Sequence, residues 1–548
     1  MNVLGPSRLC TRALQAPARI QFSASTIAHT IVWTKGFHTN KQLWAEKKDD
    51  KPEDDSPSSI RGQLYASTYQ RLQKERADED RFVKARAERR SGTWQRTIST
   101  SIGLIAVGLM GWYLGNKAPH GLNESSTTTL AESVPPQFDN RKSVLQAAWT
   151  DFALIVGKEN VSDQKDDLDA HSGSEYSSYA TKSGERPFAI VYPATTEEVS
   201  KIMQVCHKRK IPVTALSGGT SLEGHFAPTR GGICIDMMRM DKIIDFNPHD
   251  LDIKVQPALG WEDLNEYLHE KNMFFPPDPG PGARIGGMVG TGCSGTNAYR
   301  YGTMREWVLS LTVVLADGTV IKTRQRPRKS SAGYDLTRLL IGSEGTLGLV
   351  TEATLKLTVR PPSTSVAVAA FPSIRSAAAC VARVVGDGVP IAAIEILDDE
   401  QMRAINEADM TERKWREAPT LFFKFAGTAA GVKEQVALVR DMAKKSGSES
   451  FDFARSTSEQ EELWSARKEA LWSTMALRRE GDHVWTGDVA VPISRLPDLI
   501  EETKGDLKAS GLQGTIVGHA GDGNFHSTYT FLPSFLLIVF LLRRPELC

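Results

Sequence analysis

Residues 514 to 531, GTIVGHAGDGNFHSTYTF, constrain the fold more than any other stretch of this 548-residue chain. Apolar Ile516 and Val517 run into His519, glycines at 521 and 523 interrupt regular structure, and Phe525 restarts an alternating pattern through His526. The pattern predicts a strand, a tight turn and a second strand. Two hairpin strands carry His519 and His526 to the turn end, where neutral imidazole nitrogens can share one divalent metal. Asn524 stands between them and can orient an oxyanion through its amide. The same spacing fits a polar hairpin with two incidental histidines, and two are fewer than the three protein ligands usual in catalytic metal sites.

The length predicts two to four domains, and 40% hydrophobic with 24% charged residues is the composition of a folded protein. Lysine plus arginine, 66, balances aspartate plus glutamate, 66, so no basic surplus points to nucleic acid. Cys10, Cys206, Cys234, Cys293, Cys380 and Cys548 form no CxxC pair, which argues against a zinc knuckle or a disulfide framework.

Residues 1–44 contain arginine, lysine and hydroxyl residues and no acid, the composition of a mitochondrial transit peptide. Residues 45–95 are densely charged and predict a linker followed by a solvated helix over RLQKERADEDRFVKARAERR. Residues 97–116, TISTSIGLIAVGLMGWYLGN, carry no charge and are long enough for a transmembrane helix. Trp94, Trp112 and Tyr113 lie near its ends, where aromatic rings favour the interface. A buried core helix is the other reading of this stretch. The basic flank KARAERR places the N-terminal side in the matrix and everything after the span in the intermembrane space. Residues 117–184 read as a polar stalk ending in an opening helix around SVLQAAWTDFALIVG.

From residue 185 the pattern is strand, helix, strand and a loop of small residues, the helix capped by Thr195 and Thr196 with Glu197 and Glu198 in its first turn. In that loop Ser217, Gly218, Gly219, Thr220 and Ser221 let backbone N–H groups and hydroxyls converge on an anion such as pyrophosphate. No Gly-Lys-Ser/Thr follows, so it is not a Walker A loop. A second stretch, PPDPGPGARIGGMVGTGCSG at 276–295, contains GTGCSG, formally a GxGxxG. It lacks the buried strand before it and the helix opening inside it that an NAD-binding turn requires. Each loop alone fits an ordinary glycine turn.

In their order along the chain, these two stretches, VLSLTVVLADGTVI at 308–321 and AGYDLTRLLIGSEGTLGLVTEATLKL at 332–357 resemble the FAD-binding domain of the vanillyl-alcohol oxidase and p-cresol methylhydroxylase (PCMH) type. GHAGDGNFH is similar to the metal-site segment of FAD-linked 2-hydroxyacid dehydrogenases of the mitochondrial D-lactate dehydrogenase (cytochrome) kind. The resemblance implies an α+β fold: a two-subdomain PCMH-type FAD-binding domain over 185–361 and an α/β cap domain with an antiparallel sheet over 362–530. The N-terminal single transmembrane helix precedes both.

It further implies FAD, with Ser217, Gly218, Gly219, Thr220 and Ser221 on the pyrophosphate. Pro279, Gly280, Gly287, Gly290 and Gly295 would line the other side, and Gly345, Gly348 and Val350 would flank the adenine or isoalloxazine portion. In the cap it implies a catalytic set of Arg467, Asn524 and His526. Arg467, on a helix expected over 459–480, would pair with a substrate carboxylate, a bidentate geometry that lysine does not reproduce. His519 and His526 would hold a divalent metal, Zn or Mn. Thr486, where hydroxyglutarate relatives carry a lysine, implies a monocarboxylate.

The expected reaction is oxidation of D-lactate to pyruvate at the mitochondrial inner membrane, with cytochrome c as electron acceptor. Oxidation of D-2-hydroxyglutarate and an inactive membrane-anchored flavoprotein are the other readings. The family continues into a Glu-His-Gly segment that supplies a third ligand and a further histidine. Here the chain runs instead into an atypical apolar tail over 531–548, FLPSFLLIVFLLRRPELC. The expectation is therefore an incomplete cap domain with at most residual activity.

Overall fold

The computed structural model describes residues 60–90 and 137–532. The expected transit peptide, the expected membrane span at 97–116 and all but the first two residues of the 531–548 tail lie outside them. The chain divides into two units, 1–133 and 134–548. In the first, Ile60–Arg90 is a helix whose described side chains are all exposed, as the charge-dense pattern predicts. No described helix is long and apolar enough to cross a membrane.

The second unit begins with the expected opening helix, Lys142–Val156, which buries Leu145, Ala148, Phe152 and Val156. This stripe packs on a four-stranded sheet of β1 (Val161–Ser162), β2 (Ala189–Val191), β3 (Val213–Leu216) and β4 (Ile233–Asp236), in the order β1-β2-β4-β3. β2 and β3 both run parallel to β4, and the Thr196–Arg209 helix crosses between β2 and β3. Thr195 caps that helix by accepting from the Glu198 amide, and Val199, Ile202, Met203 and Cys206 form its buried stripe.

A five-stranded antiparallel sheet follows, made of β5 (Ile243–Asn247), β6 (Asp252–Val255), β8 (Val308–Val314), β9 (Val320–Lys322) and β10 (Leu349–Lys356), in the order β5-β6-β10-β8-β9. The short β7 (Met273–Phe274) and β11 (Thr358–Val359) pair separately. Within the second glycine-rich stretch, Ile285–Thr291 is helical and Gly292, at φ +62°, ends it. GTGCSG therefore closes a helix, where a dinucleotide fingerprint would open one.

The cap holds seven strands, all antiparallel: β12 (Ser363–Ala370), β13 (Ala393–Leu397), β14 (Thr420–Gly427), β15 (Asp452–Phe453), β16 (His483–Ala490), β17 (Gln513–His519) and β18 (Asn524–Phe531). Their order is β15-β12-β14-β13-β17-β18-β16. Strand alternation divides β14 between two faces. Leu421, Phe423 and Phe425 join the core beneath the helices Ile374–Gly386, Ala429–Lys445 and Leu496–Ser510, whereas Phe422 belongs to a separate cluster with Trp464 and Val517. The single helix expected over 459–480 is two helices, Thr457–Lys468 and Ala470–Ala476. Contacts that local pattern does not contain anchor the second one. Gln401 donates to the Ala470 carbonyl at 2.8 Å, and the Thr474 hydroxyl meets that of Thr515 on β17 at 2.9 Å.

His171 ties the opening segment to the first sheet, with Nε2 2.9 Å from Asp236 Oδ2 and Nδ1 2.7 Å from the Asp167 carbonyl. Both ring nitrogens face acceptors, which suits the imidazolium. Burial pushes the His171 pKa down, but the bonds to Asp236 and Asp167 outweigh it and the net shift is upward. A raised histidine pKa contributes stability that is fully present below ~6.5 and is lost as pH rises through the folded value. Urea midpoints should therefore show His171→Gln costing more at about pH 5.5 than at about pH 8; an equal cost at both would contradict this assignment.

Candidate active site

Because β3 ends at Leu216 and the chain must turn at once, the Ser217–Ser221 loop forms one wall of a cavity of ≈ 1140 Å³. That volume lies at or above the top of the ~300–1,000 Å³ range of ordinary ligand pockets, as a dinucleotide requires. Gly219 sits at φ +64°, a conformation a side-chain-bearing residue resists. At Gly218 an added Cβ would lie 3.0 Å from the Gly282 carbonyl. The Ser217 hydroxyl donates to the Pro257 carbonyl at 2.9 Å, and Tyr176 braces the loop by donating to the Gly219 carbonyl at 3.0 Å. Pro279, Gly280, Gly287, Gly290, Gly295, Gly345, Gly348 and Val350 all line the same cavity, and open space faces Gly290. A cradle of this size, shaped by glycines, fits FAD.

The far wall is the cap sheet, where register fixes which side chains meet. His526 on β18 pairs with Val517 on β17 and with Asp488 on β16, so the two histidines are diagonal neighbours. Their rings are 5.4 Å apart and nearly perpendicular. His519 Nδ1 lies 2.9 Å from Glu395 Oε1, and His526 Nδ1 lies 3.4 Å from Asp488 Oδ1. Each imidazole is thus backed by a carboxylate on Nδ1, which leaves Nε2 for a ligand, the usual arrangement behind a metal-bound histidine. Both histidines line the cavity, but among the described residues no group of three or more His, Cys, Asp or Glu is arranged to hold a metal ion. The donor set fits a divalent metal in direction and supplies two protein ligands.

Glu395 also accepts from Arg467 Nε at 2.8 Å, so one carboxylate joins the arginine to the histidine. Burial works against charge on Glu395, yet His519 and Arg467 hold its pKa below the ordinary value. For His519, burial is likewise outweighed by Glu395, and its pKa is raised. Thr486 lines the cavity with its hydroxyl oxygen buried and without a hydrogen-bond partner.

The residues 187–324 match the FAD binding domain family, and 360–534 match the C-terminal domain of FAD linked oxidases. A D-lactate dehydrogenase (cytochrome), mitochondrial, of Kluyveromyces lactis is 45% identical over 435 residues, covering 77% of this chain and 76% of that protein. The chain belongs to the D-lactate dehydrogenase (cytochrome) family of FAD-linked oxidases. A second member, D-lactate dehydrogenase (cytochrome) 1, mitochondrial, of Saccharomyces cerevisiae, is 48% identical over 413 residues, covering 74% of this chain and 70% of that protein. In fold the chain is similar to p-cresol methylhydroxylase, at a TM-score of 0.59 and 18% identity, covering 74% of this chain and 85% of that one.

Within this family frame, every residue expected at the cofactor lies on one cavity wall or its rim, and Arg467, His519 and His526 face the same space. Asn524 does not line it; its amide donates to Asp488 Oδ1 at 2.6 Å and to the Val489 carbonyl at 3.0 Å. Sequence reasoning missed Glu395 and the backing role of Asp488, and also Lys424 and Asp278, which line the cavity. Glu395 lies on a strand distant in sequence, but an acid inside the apolar run AAIEIL was a signal that it has a buried partner. Placing a carboxylate in the cradle with Gly219→Asp should abolish flavin retention, read as loss of yellow colour from purified protein. Retention of flavin would contradict the role of the loop.

Proposed function

We propose that this protein oxidises D-lactate to pyruvate with FAD as first electron acceptor and cytochrome c as the next. The observation that carries the reading is the pair of imidazoles, each backed by a carboxylate, facing a dinucleotide-sized cavity beside Arg467. The relatives' names supply D-lactate and cytochrome.

When bound, FAD supplies the hydride acceptor that no side chain can provide. The chain's part is to hold C2 of the substrate in place and to handle its hydroxyl proton. Arg467 keeps its terminal guanidinium nitrogens available for the substrate carboxylate while Nε stays on Glu395. His519 and His526 would hold Zn or Mn through Nε2, and the ion would supply Lewis acidity that lowers the pKa of the substrate hydroxyl. Asn524 acts on this set by bracing Asp488 behind His526. Thr486 offers a hydroxyl, and no charge, to the substrate's far end, which favours a monocarboxylate over a hydroxyglutarate-like dicarboxylate.

Adding D-lactate anaerobically to the purified flavoprotein should bleach the flavin, and D-2-hydroxyglutarate should do so far more slowly. An unchanged spectrum with D-lactate would overturn the reading. Dialysis against a chelator should remove D-lactate-dependent cytochrome c reduction, and Zn²⁺ or Mn²⁺ should restore it; full activity after chelation would exclude the metal.

The proposed location is the mitochondrial inner membrane, through a span at 97–116, with the catalytic unit in the intermembrane space. Alkaline carbonate extraction of mitochondria should leave the protein in the membrane pellet. Release into the supernatant would exclude the anchor.

A further inference from the structure

One cation in the cavity wall has no part in the mechanism above. Lys424 lies on β14, with Nζ 4.5 Å from the centre of the Trp464 ring and 3.4 Å from Thr296 Oγ1. The Thr296 hydroxyl donates to Asp278 Oδ2 at 2.6 Å, which leaves its oxygen as a single, distant acceptor for the ammonium. Among the described residues no carboxylate lies within ion-pair distance of Lys424, Asp278 and Glu395 acting on it from farther away. Burial pulls the lysine pKa below its ordinary range, against the opposing effect of those two carboxylates. Arg467, by contrast, already has Glu395 at 2.8 Å.

An ammonium withdrawn from water needs partners for three N–H groups, and leaving them unmet is costly. Here one is met by a long bond and another direction by a ring face, and the side chain lines the cavity shared with His519, His526 and Arg467. The carboxylate nearest on that wall, Asp278, forms no ion pair with the ammonium and is taken up by the Thr296 hydroxyl and the Asn297 amide. A substrate that brings a carboxylate meets the need. The aromatic face of Trp464 also fixes where the ammonium sits, so less of its side-chain freedom remains to be lost on binding.

We infer that Lys424 is a carboxylate-binding residue of this active site, donating to the substrate's carboxylate alongside Arg467. The inference rests on the reading of the site as one that takes a 2-hydroxy acid. It adds a determinant from β14, on the opposite side of Glu395's strand from the histidine hairpin, and makes recognition of the carboxylate a two-cation arrangement.

The test uses the full flavin-loaded chain as Lys424→Met and Lys424→Arg. Oxalate, a carboxylate the site does not oxidise, is titrated by the change it causes in flavin absorbance, and KM and kcat for D-lactate are measured separately. Lys424→Met should weaken oxalate binding and raise KM by about ten- to hundredfold, the loss of one charge-assisted hydrogen bond, with a much smaller change in kcat. Lys424→Arg should recover most of the affinity. If Lys424→Met does not retain flavin, Lys424→Gln, uncharged but still a donor towards Thr296, carries the same measurement. Unchanged oxalate affinity and KM would overturn the inference. So would a loss confined to flavin content and thermal midpoint, which marks Lys424 as a brace between the two domains. A wild type that binds oxalate but is bleached by no 2-hydroxy acid would sink the proposed reaction, while the oxalate arm would still read the role of Lys424.

Discussion

One buried carboxylate organises the cap side of this protein. Glu395, 1% exposed, lies between Arg467 on the covering helix and His519 on the neighbouring strand. It stays ionised because both partners reach it, and removing one partner of such a buried pair typically costs about 3–5 kcal/mol. The consequence is geometric as much as energetic. The same oxygen pair that pins the Thr457–Lys468 helix to the sheet also turns the His519 ring so that Nε2 points at the cavity. Packing of the helix and orientation of a candidate ligand are therefore one interaction.

The cavity exists because two sheets with different tasks meet there. The FAD-binding domain contributes backbone: glycine turns whose bare surface suits a large, anionic cofactor. The cap contributes side chains, projected at alternate positions from a sheet whose other face is filled with Leu421, Phe423 and Phe425. Directed polar contacts hold the two in register. Arg300 donates to the Ala426 carbonyl at 2.7 Å, and Ser178 exchanges bonds with the backbone of Thr486 at 3.3 and 3.5 Å.

Local rules made several elements readable in the sequence. The GHAGDGNFH hairpin was legible because an alternating apolar pattern broken by glycines has few other solutions, and the structure has β17 and β18 flanking a turn at 520–522. The cap on the Thr196–Arg209 helix and the failure of GTGCSG to open a helix were legible for the same reason, since both depend on residues within one turn. The place of the four cofactor segments and of Arg467 came from resemblance, since spacing alone left each glycine loop an ordinary turn.

Partners brought together by tertiary pairing were not legible. Glu395 meets His519 across 124 positions, and Asp488 meets His526 across a strand pair whose register no local pattern encodes. The helix expected over 459–480 divides because Gln401 and Thr515 hold the second half from other elements. Asn524, expected to face an oxyanion, braces Asp488 because the β16–β18 register brings that carboxylate within reach. The sequence by itself determined the hairpin, the glycine turns and the residue types of the site, since backbone conformation and periodicity are local quantities. Which carboxylate backs which histidine, and which cation reaches the cavity without an ion pair among the described residues, only the tertiary structure decided, because those depend on strand order and register between segments far apart in the chain.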